Sequence, residues 1–240
     1  VVTLFLTIFT AGIGIGSGLC SRLLKGRIDA TYVPLAAVGM TVFAIDLVFA
    51  SVHAKTRPGE LIGILQFLSY IANWRILCDL LFISICGGIY IVPLYAILQH
   101  DSDDAHRSRA IACNNIMNAL FMVIAASVTG LMFALHFNIT QVFLAIAIVN
   151  LFAAIYVCNL LPEELVKSFL VWLFKVLYRV EVRGLEHYHA AGERVLIIAN
   201  HTSFLDAALL AALLPDRLTF AINTDIAKRW WMKLMLKLVN

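Results

Sequence analysis

Charge is what this sequence has least of. Only 14% of its 240 residues are Asp, Glu, Lys or Arg, while 62% are hydrophobic. Two long stretches, Val1 to Ser21 and Ala110 to Pro162, carry none of the four. Soluble domains average about 25% charged residues, so a wholly water-facing chain is excluded and helices within a bilayer are expected. The net charge of +3 is too small to point to nucleic acid. Cysteine is sparse too. Cys20, Cys78, Cys86, Cys113 and Cys158 are odd in number, scattered, and never form a C-x-x-C pair. That pattern excludes a disulfide framework and a zinc site and leaves small hydrophobic side chains. No basic segment precedes the first apolar run, and the chain starts at Val1 rather than Met. A signal peptide is therefore not expected, and the chain reads as a fragment truncated at both ends.

The charge that is present is uneven. Residues 1–162 carry eight Lys/Arg and seven Asp/Glu, whereas residues 163–240, half as long, carry ten and eight. A membrane region followed by the start of a water-facing domain is expected, with the boundary near Pro162. Val1 to Ser21 is long enough to span, since a bilayer core needs about 20 apolar residues. Its Gly12/Gly16 and Gly14/Gly18 pairs make two small-residue strips suited to close helix packing. Thr31 to Val52 is a second span, interrupted only by Asp46. A carboxylate at such a position either faces a cavity or partner or sits near the interface, and spacing does not separate the two. Leu61 to Trp74 is charge-free but short, and is expected to lie in the interface with Tyr70 and Trp74 at headgroup level. Ile76 to Gln99 is the third span, with Asp79 near its start and close to the surface, and with Gly87, Gly88 and Pro93 softening the helix. After the polar loop Asp101 to Arg109, the uncharged stretch to Pro162 has room for two spans joined by a turn at His136 to Thr140. Asn114 and Asn118 share a helix face there. They suit interhelical bonding or contact with a polar substrate. Pro162-Glu163-Glu164 then opens a helix. Lys167, Lys175 and Arg179 break its apolar run, so residues 163–180 are expected to form an interfacial helix.

The stretch with the most chemistry is Asn200-His201-Thr202-Ser203-Phe204-Leu205-Asp206. It follows Val195-Leu196-Ile197-Ile198-Ala199, which reads as a buried strand. In a strand-to-helix turn Asp206 can accept the Nδ1–H of His201 and leave Nε2 free as a general base. No Ser or Cys nucleophile is needed if a substrate hydroxyl attacks. Ser203 and Asp206 also have capping-box spacing, and a carboxylate has two oxygens, so capping does not exclude catalysis.

Asn200-His201-x-Ser203-x-x-Asp206 resembles the first signature block, HX4D, of the glycerolipid acyltransferases. Those enzymes move a fatty acyl chain from a thioester onto a lysophospholipid or glycerol phosphate. With Leu177-Tyr178-Arg179-Val180, Gly192 to Ile197, Phe220-Ala221 and Trp230-Trp231-Met232, the stretch is similar to the 2-acylglycerophosphoethanolamine acyltransferase type. The resemblance implies that His201 is the catalytic base and Asp206 its orienting acid, with Asn200 and Ser203 as supporting motif residues. The family's Glu-Gly-x-Arg phosphate-binding block does not occur before Asn240. Five spans with short loops, together with Gly87-Gly88-x-x-x-Val92-Pro93-Leu94-x-Ala96-x-Leu98-Gln99 and Ala110-Ile111-Ala112-x-x-Asn115, resemble the last five helices of a major facilitator lysophospholipid transporter. The loop Ser21 to Arg27 is similar to that superfamily's basic loop, with Ser21 in place of the usual Asp.

The expected architecture is therefore a mainly α membrane protein. Residues 1–162 are a transporter region, 163–180 an interfacial linker, and 181–240 the start of an α/β acyltransferase domain. The expected function is lysophospholipid import coupled to re-acylation in the bacterial inner membrane, with phospholipid salvage as its purpose. Two alternatives are a membrane-anchored acyltransferase whose helices transport nothing and a non-catalytic lipid-binding remnant. No bound cofactor or metal is implied. The expected partners are lysophospholipid, membrane lipids and an acyl-carrier-protein or coenzyme A thioester, and no nucleic acid. Asp46, Asn114 and Asn118 are candidates for the transport path. The isolated 240 residues are expected to be inactive. The tail carries ten Lys/Arg and the His136–Thr140 turn none, which places the tail inside. In a Cys-free full-length protein, Asn138→Cys should then react with an impermeant thiol reagent in intact cells, and Thr219→Cys should not. The opposite labelling would reverse the topology.

Overall fold

The computed structural model describes residues 1–24, 28–53, 63–192, 195–200, 203, 205–214 and 218–220. Its helices are α1 (Val2–Leu24), α2 (Val33–Val52), α3 (Ile64–Leu68), α4 (Ile71–His100), α5 (Arg107–Ala134), α6 (Ile139–Leu160), α7 (Pro162–Tyr178), α8 (Leu185–Ala190) and α9 (Leu205–Leu213). No strand occurs among the described residues. The chain divides into two compact units, Val1–Leu160 and Leu161–Asn240.

In the first unit, α1, α2, α4, α5 and α6 are each long and apolar enough to cross a membrane. This bears out five spans. Their order follows from the contacts. Gly12 of α1 meets Ser84 of α4, and Gly16 meets Ile85, so the two helices run the same way. A Cβ on Gly88 would stand 2.6 Å from the Ile13 carbonyl oxygen. α2 runs antiparallel to α4, with Phe43 stacked on Phe82 at 4.8 Å between ring centroids. α6 packs on α2 through two polar bonds. Asn150 Nδ2 donates to Thr41 Oγ1 at 2.8 Å, and Ser51 Oγ donates to Thr140 Oγ1 at 3.0 Å. The α5–α6 turn falls where expected. Asn138 caps α6 reciprocally with Gln141, each backbone N–H bonding the other's side-chain oxygen at 2.8 and 2.9 Å.

Three expectations change. Leu61 to Trp74 does not form one interfacial segment. Its described part is the single turn α3 and the first turn of α4, and the Trp74 indole N–H donates to the Leu68 carbonyl at 2.9 Å. The third span therefore starts at Ile71 rather than Ile76. Asp79 consequently lies two turns inside α4, about 12 Å along its axis, and is only 3% exposed. The reading of Asp79 as near the surface fails because charge-free Ile71 to Trp74 extends the helix ahead of Arg75.

The second unit is described separately. Pro162 opens α7 as expected, with Glu163 and Glu164 in its first turn. The helix ends on Arg179 in the left-handed region (φ 47°), whose N–H, like that of Val180, turns back to the Phe174 carbonyl. Val171 and Phe174 of α7 pack against Ala208 and Ala212 of α9. The α/β expectation is not met among the described residues. Val195 to Ala199 is irregular rather than a strand, with Leu196 85% and Ile198 87% exposed. A strand is held by ladder bonds to a neighbour, and no described segment supplies one. Arg57-Pro58-Gly59, whose Pro-Gly pair is a turn signal in the sequence, the loop residues Lys25 and Arg27, and Trp230 to Met232 lie outside the described residues.

The two glycine strips differ. A Cβ at Gly16 would overlap the Ile85 carbonyl oxygen, while Gly14 and Gly18 have nothing within 4 Å. Gly16→Ala should therefore destabilise the first unit by about 1–3 kcal/mol, the usual range for overpacking. Gly14→Ala should be neutral or slightly stabilising, since Ala is the better helix former. Denaturant titration of the full-length protein in detergent micelles tests the pair. Equal effects of the two substitutions would disprove the α1–α4 register.

Candidate functional site

The motif residues straddle the start of α9. This helix forms because Leu205 to Leu213 is an uninterrupted run of Leu and Ala apart from Asp206, and both residue types are strong helix formers. Ala208 and Ala212, one turn apart, are the buried positions that seat it on α7. Asp206 falls in the first turn, where a negative charge is favoured by the exposed N–H groups and the helix dipole. Its Oδ2 accepts the backbone N–H of Ser203 at 2.8 Å. The Ser203 hydroxyl oxygen in turn accepts the Leu205 N–H at 3.2 Å, and the Asp206 N–H donates to the Ser203 carbonyl at 3.1 Å. This is the acidic half of a capping box, with the Ser half shifted one residue earlier along the helix. Asp206 is partly buried, and Ser203 and Asn200 are exposed. His201 and Thr202 lie outside the described residues. The carboxylate is thus fixed at a helix start, five residues after His201 in the sequence.

In the first unit the three transport-path candidates have different surroundings. Asn118 Nδ2 donates to the Tyr95 hydroxyl of α4 at 2.9 Å, the interhelical use of an amide. Asn114, one turn earlier on α5, has its Nδ2 buried with no hydrogen-bond partner. Asp46 of α2 is held by Arg75 of α4, whose Nε donates to Oδ2 at 2.9 Å while Nη2 reaches Oδ1. Two parallel bonds of this kind are the strong, planar form of an Arg–carboxylate pair.

Arg75 and Asp79 were not among the sequence candidates. Arg75 falls between the short charge-free run Leu61 to Trp74 and the expected third span, and Asp79 is expected near the surface. Their four-residue spacing was the available signal, because it places both on one face of any helix that includes them. A further feature is an apolar cavity of about 1050 Å³ near the start of α1, the end of α2 and the α5–α6 turn. Phe5, Leu47, Leu80 and Phe143 form part of its wall, with Ser51 and Thr140 as polar points. Sequence gave no sign of it, since its lining comes from segments distant along the chain. Among the described residues no group of His, Cys, Asp and Glu is arranged to hold a metal ion.

No solved structure matches this chain. Residues 179–240, which contain the whole Asn200–Asp206 stretch and α9, match the family model described as Acyltransferase.

Proposed function

We propose that the protein transfers an acyl chain from a thioester to the hydroxyl of a lysophospholipid. His201 acts as the base, and Asp206 holds and stabilises it. The observation that carries this reading is the Acyltransferase match over residues 179–240, with Asp206 anchored at the start of α9 within it. In the proposed reaction His201 Nε2 removes the proton from the glycerol hydroxyl as that oxygen attacks the thioester carbonyl. Asp206 accepts the Nδ1–H and balances the imidazolium that forms. The thiolate leaves as the carbonyl re-forms and takes up a proton. Asn200 and Ser203 support the turn. No metal enters the scheme. The acyl donor is an acyl-carrier-protein or coenzyme A thioester.

The first unit fits a path for the lysophospholipid substrate, since it offers five apolar helices and an apolar cavity large enough for part of an acyl chain. In this reading lysophospholipid reaches the inner leaflet of a bacterial cytoplasmic membrane and regains its missing chain there. The acyltransferase region faces the cytoplasm. α7 fits the linker role. Phe169, Trp172 and Val176 lie along one face and are each at least 50% exposed, an amphipathic pattern suited to the interface.

His201→Ala in the full-length protein should lower acyl transfer by about 10²–10⁴-fold, the usual worth of a general base. Lysophospholipid uptake should stay near normal. Asp206→Asn should also reduce turnover steeply, because an amide cannot balance an imidazolium. Ser203→Ala should instead lower the stability of the α9 start by about 0.5–2 kcal/mol, with the smaller loss of rate. Thioester turnover on vesicles and hydrogen exchange across Leu205–Leu213 separate the two effects. Full activity in Asp206→Asn, with local unfolding in Ser203→Ala, would reduce the motif to a helix cap.

A further inference from the structure

Asp79 is the most deeply buried carboxyl among the described residues, at 3% exposure, and its Oδ2 has no hydrogen-bond partner. Its neighbours make that burial specific. Across the α2–α4 interface it faces Asp46 within hydrogen-bond reach, and one turn back on its own helix stands Arg75. Arg75 is already committed to Asp46 through both carboxylate oxygens. The cluster thus holds two carboxyl groups and one guanidinium. Among the described residues, no other element packed there changes the count. α1 carries no Asp, Glu, Lys, Arg or His before Arg22, and α3 and α6 carry none. Asp46 is the only such residue on α2. The cations of α5, Arg107 and Arg109, lie at the opposite end of α4, where Arg107 bonds the Gln99 carbonyl.

We propose that Asp79, together with Asp46 and Arg75, forms a proton-binding site within the first unit, so that these helices take up and release a proton inside the bilayer. Two ionised carboxylates facing each other in an apolar interface repel, and an unpaired buried charge is strongly disfavoured. One proton resolves both problems. It brings the cluster to zero net charge and gives Asp79 an O–H that donates to Asp46, which makes a charge-assisted bond of an otherwise repulsive contact. A metal ion does not fit the same geometry, since calcium needs about six to eight oxygen ligands and no such group occurs among the described residues. A route for the proton is present, because Asp46 and Arg75 keep 36% and 50% of their side-chain surface exposed. The inference is independent of acyl transfer by the second unit.

A hydrophobic carbodiimide reacts with protonated carboxyl groups in apolar surroundings. The full-length protein in vesicles is treated with it across a pH series, and peptide mass spectrometry reads modification at Asp79, normalised to exposed Asp101. The expected result is modification at low pH that falls as pH rises, and that is absent in Asp79→Asn. Arg75→Gln should carry modification to higher pH by about one unit or more, because the two carboxylates then have no cation between them. Asp46→Asn should move it the other way, because Arg75 is released to pair with Asp79. A site that is merely structural predicts no such opposed pair of shifts. Modification that is independent of pH, or absent throughout in protein that elutes as one folded species, overturns the proposal. So does a profile left unchanged by both Arg75→Gln and Asp46→Asn. Protection of Asp79 by sodium at constant pH would assign the site to a metal cation and would overturn it too.

Discussion

Between Gly16 and the carbonyl of Ile85 there is no room for a side chain. Lipid tails are as apolar as the helices they surround, so helices in a bilayer gain little by hiding leucines from them. Association rests instead on close backbone contact and on polar bonds between helices. α1 and α4 use the first device, through Gly12, Gly16 and Gly88. α2 meets α4 on closely fitted ground as well. A Cβ at Gly39 would lie 2.8 Å from Cys86 Sγ, and Phe43 stacks on Phe82. With α4 held from both sides, the register of α2 against it is set. That register brings Asp46 to Arg75 and Asp79. The electrostatic cluster is therefore a consequence of glycine placement as much as of the charged residues themselves.

Polar bonds supply the second device and extend the bundle outwards. Thr41 and Ser51 on α2 tie α6 in place through Asn150 and Thr140. Asn118 reaches Tyr95 and joins α5 to α4. α5 itself has no buried residue, so the amide bond and the Arg107–Gln99 contact stand out among the contacts that position it. A hydroxyl or amide in such a helix has few alternatives to a partner across the interface, which is why single residues can decide the packing partner.

The apolar helices are legible in the sequence because one signal, a long run without charge, marks them. The turn at His136 to Thr140 and the helix opening at Pro162 are legible from local chemistry, namely an Asn cap with Gln three residues on and a Pro–Glu–Glu start. The start of α4 is not. Arg75 stands between the short charge-free run Leu61 to Trp74 and the expected third span, and only the fold shows it inside a helix, paired across to Asp46. Likewise Asp46, which faces Asp79, lies 33 positions away in sequence, and no window-based reading sees that distance. Val195 to Ala199 shows the converse limit. An apolar run names a candidate strand, but ladder partners decide whether it is one, and composition says nothing about partners. At the motif, spacing makes the helix-start link between Ser203 and Asp206 legible, while the catalytic reading rests on the family resemblance. The bond that fixes Asp206 joins residues only three apart, and local geometry of this kind is what spacing encodes best.

On the proposed reading, capping and catalysis at Asp206 are one arrangement rather than rivals. A base must keep one tautomer and one orientation through the reaction, and the group that orients it must itself be held. A carboxylate on a loop would lose rotamer freedom at every turnover. In the first turn of α9 the helix has already restricted it, since Oδ2 is bonded to the Ser203 N–H and the helix end favours its negative charge. The same charge is what an imidazolium requires nearby. α9 is in turn seated by Ala208 and Ala212 against Val171 and Phe174 of α7, so the rigidity of the carboxylate traces back to apolar packing on the linker helix. A substitution such as Ala212→Asp, remote from the motif along the helix, would act through this chain of support. It would loosen α9 first and the orientation of Asp206 second.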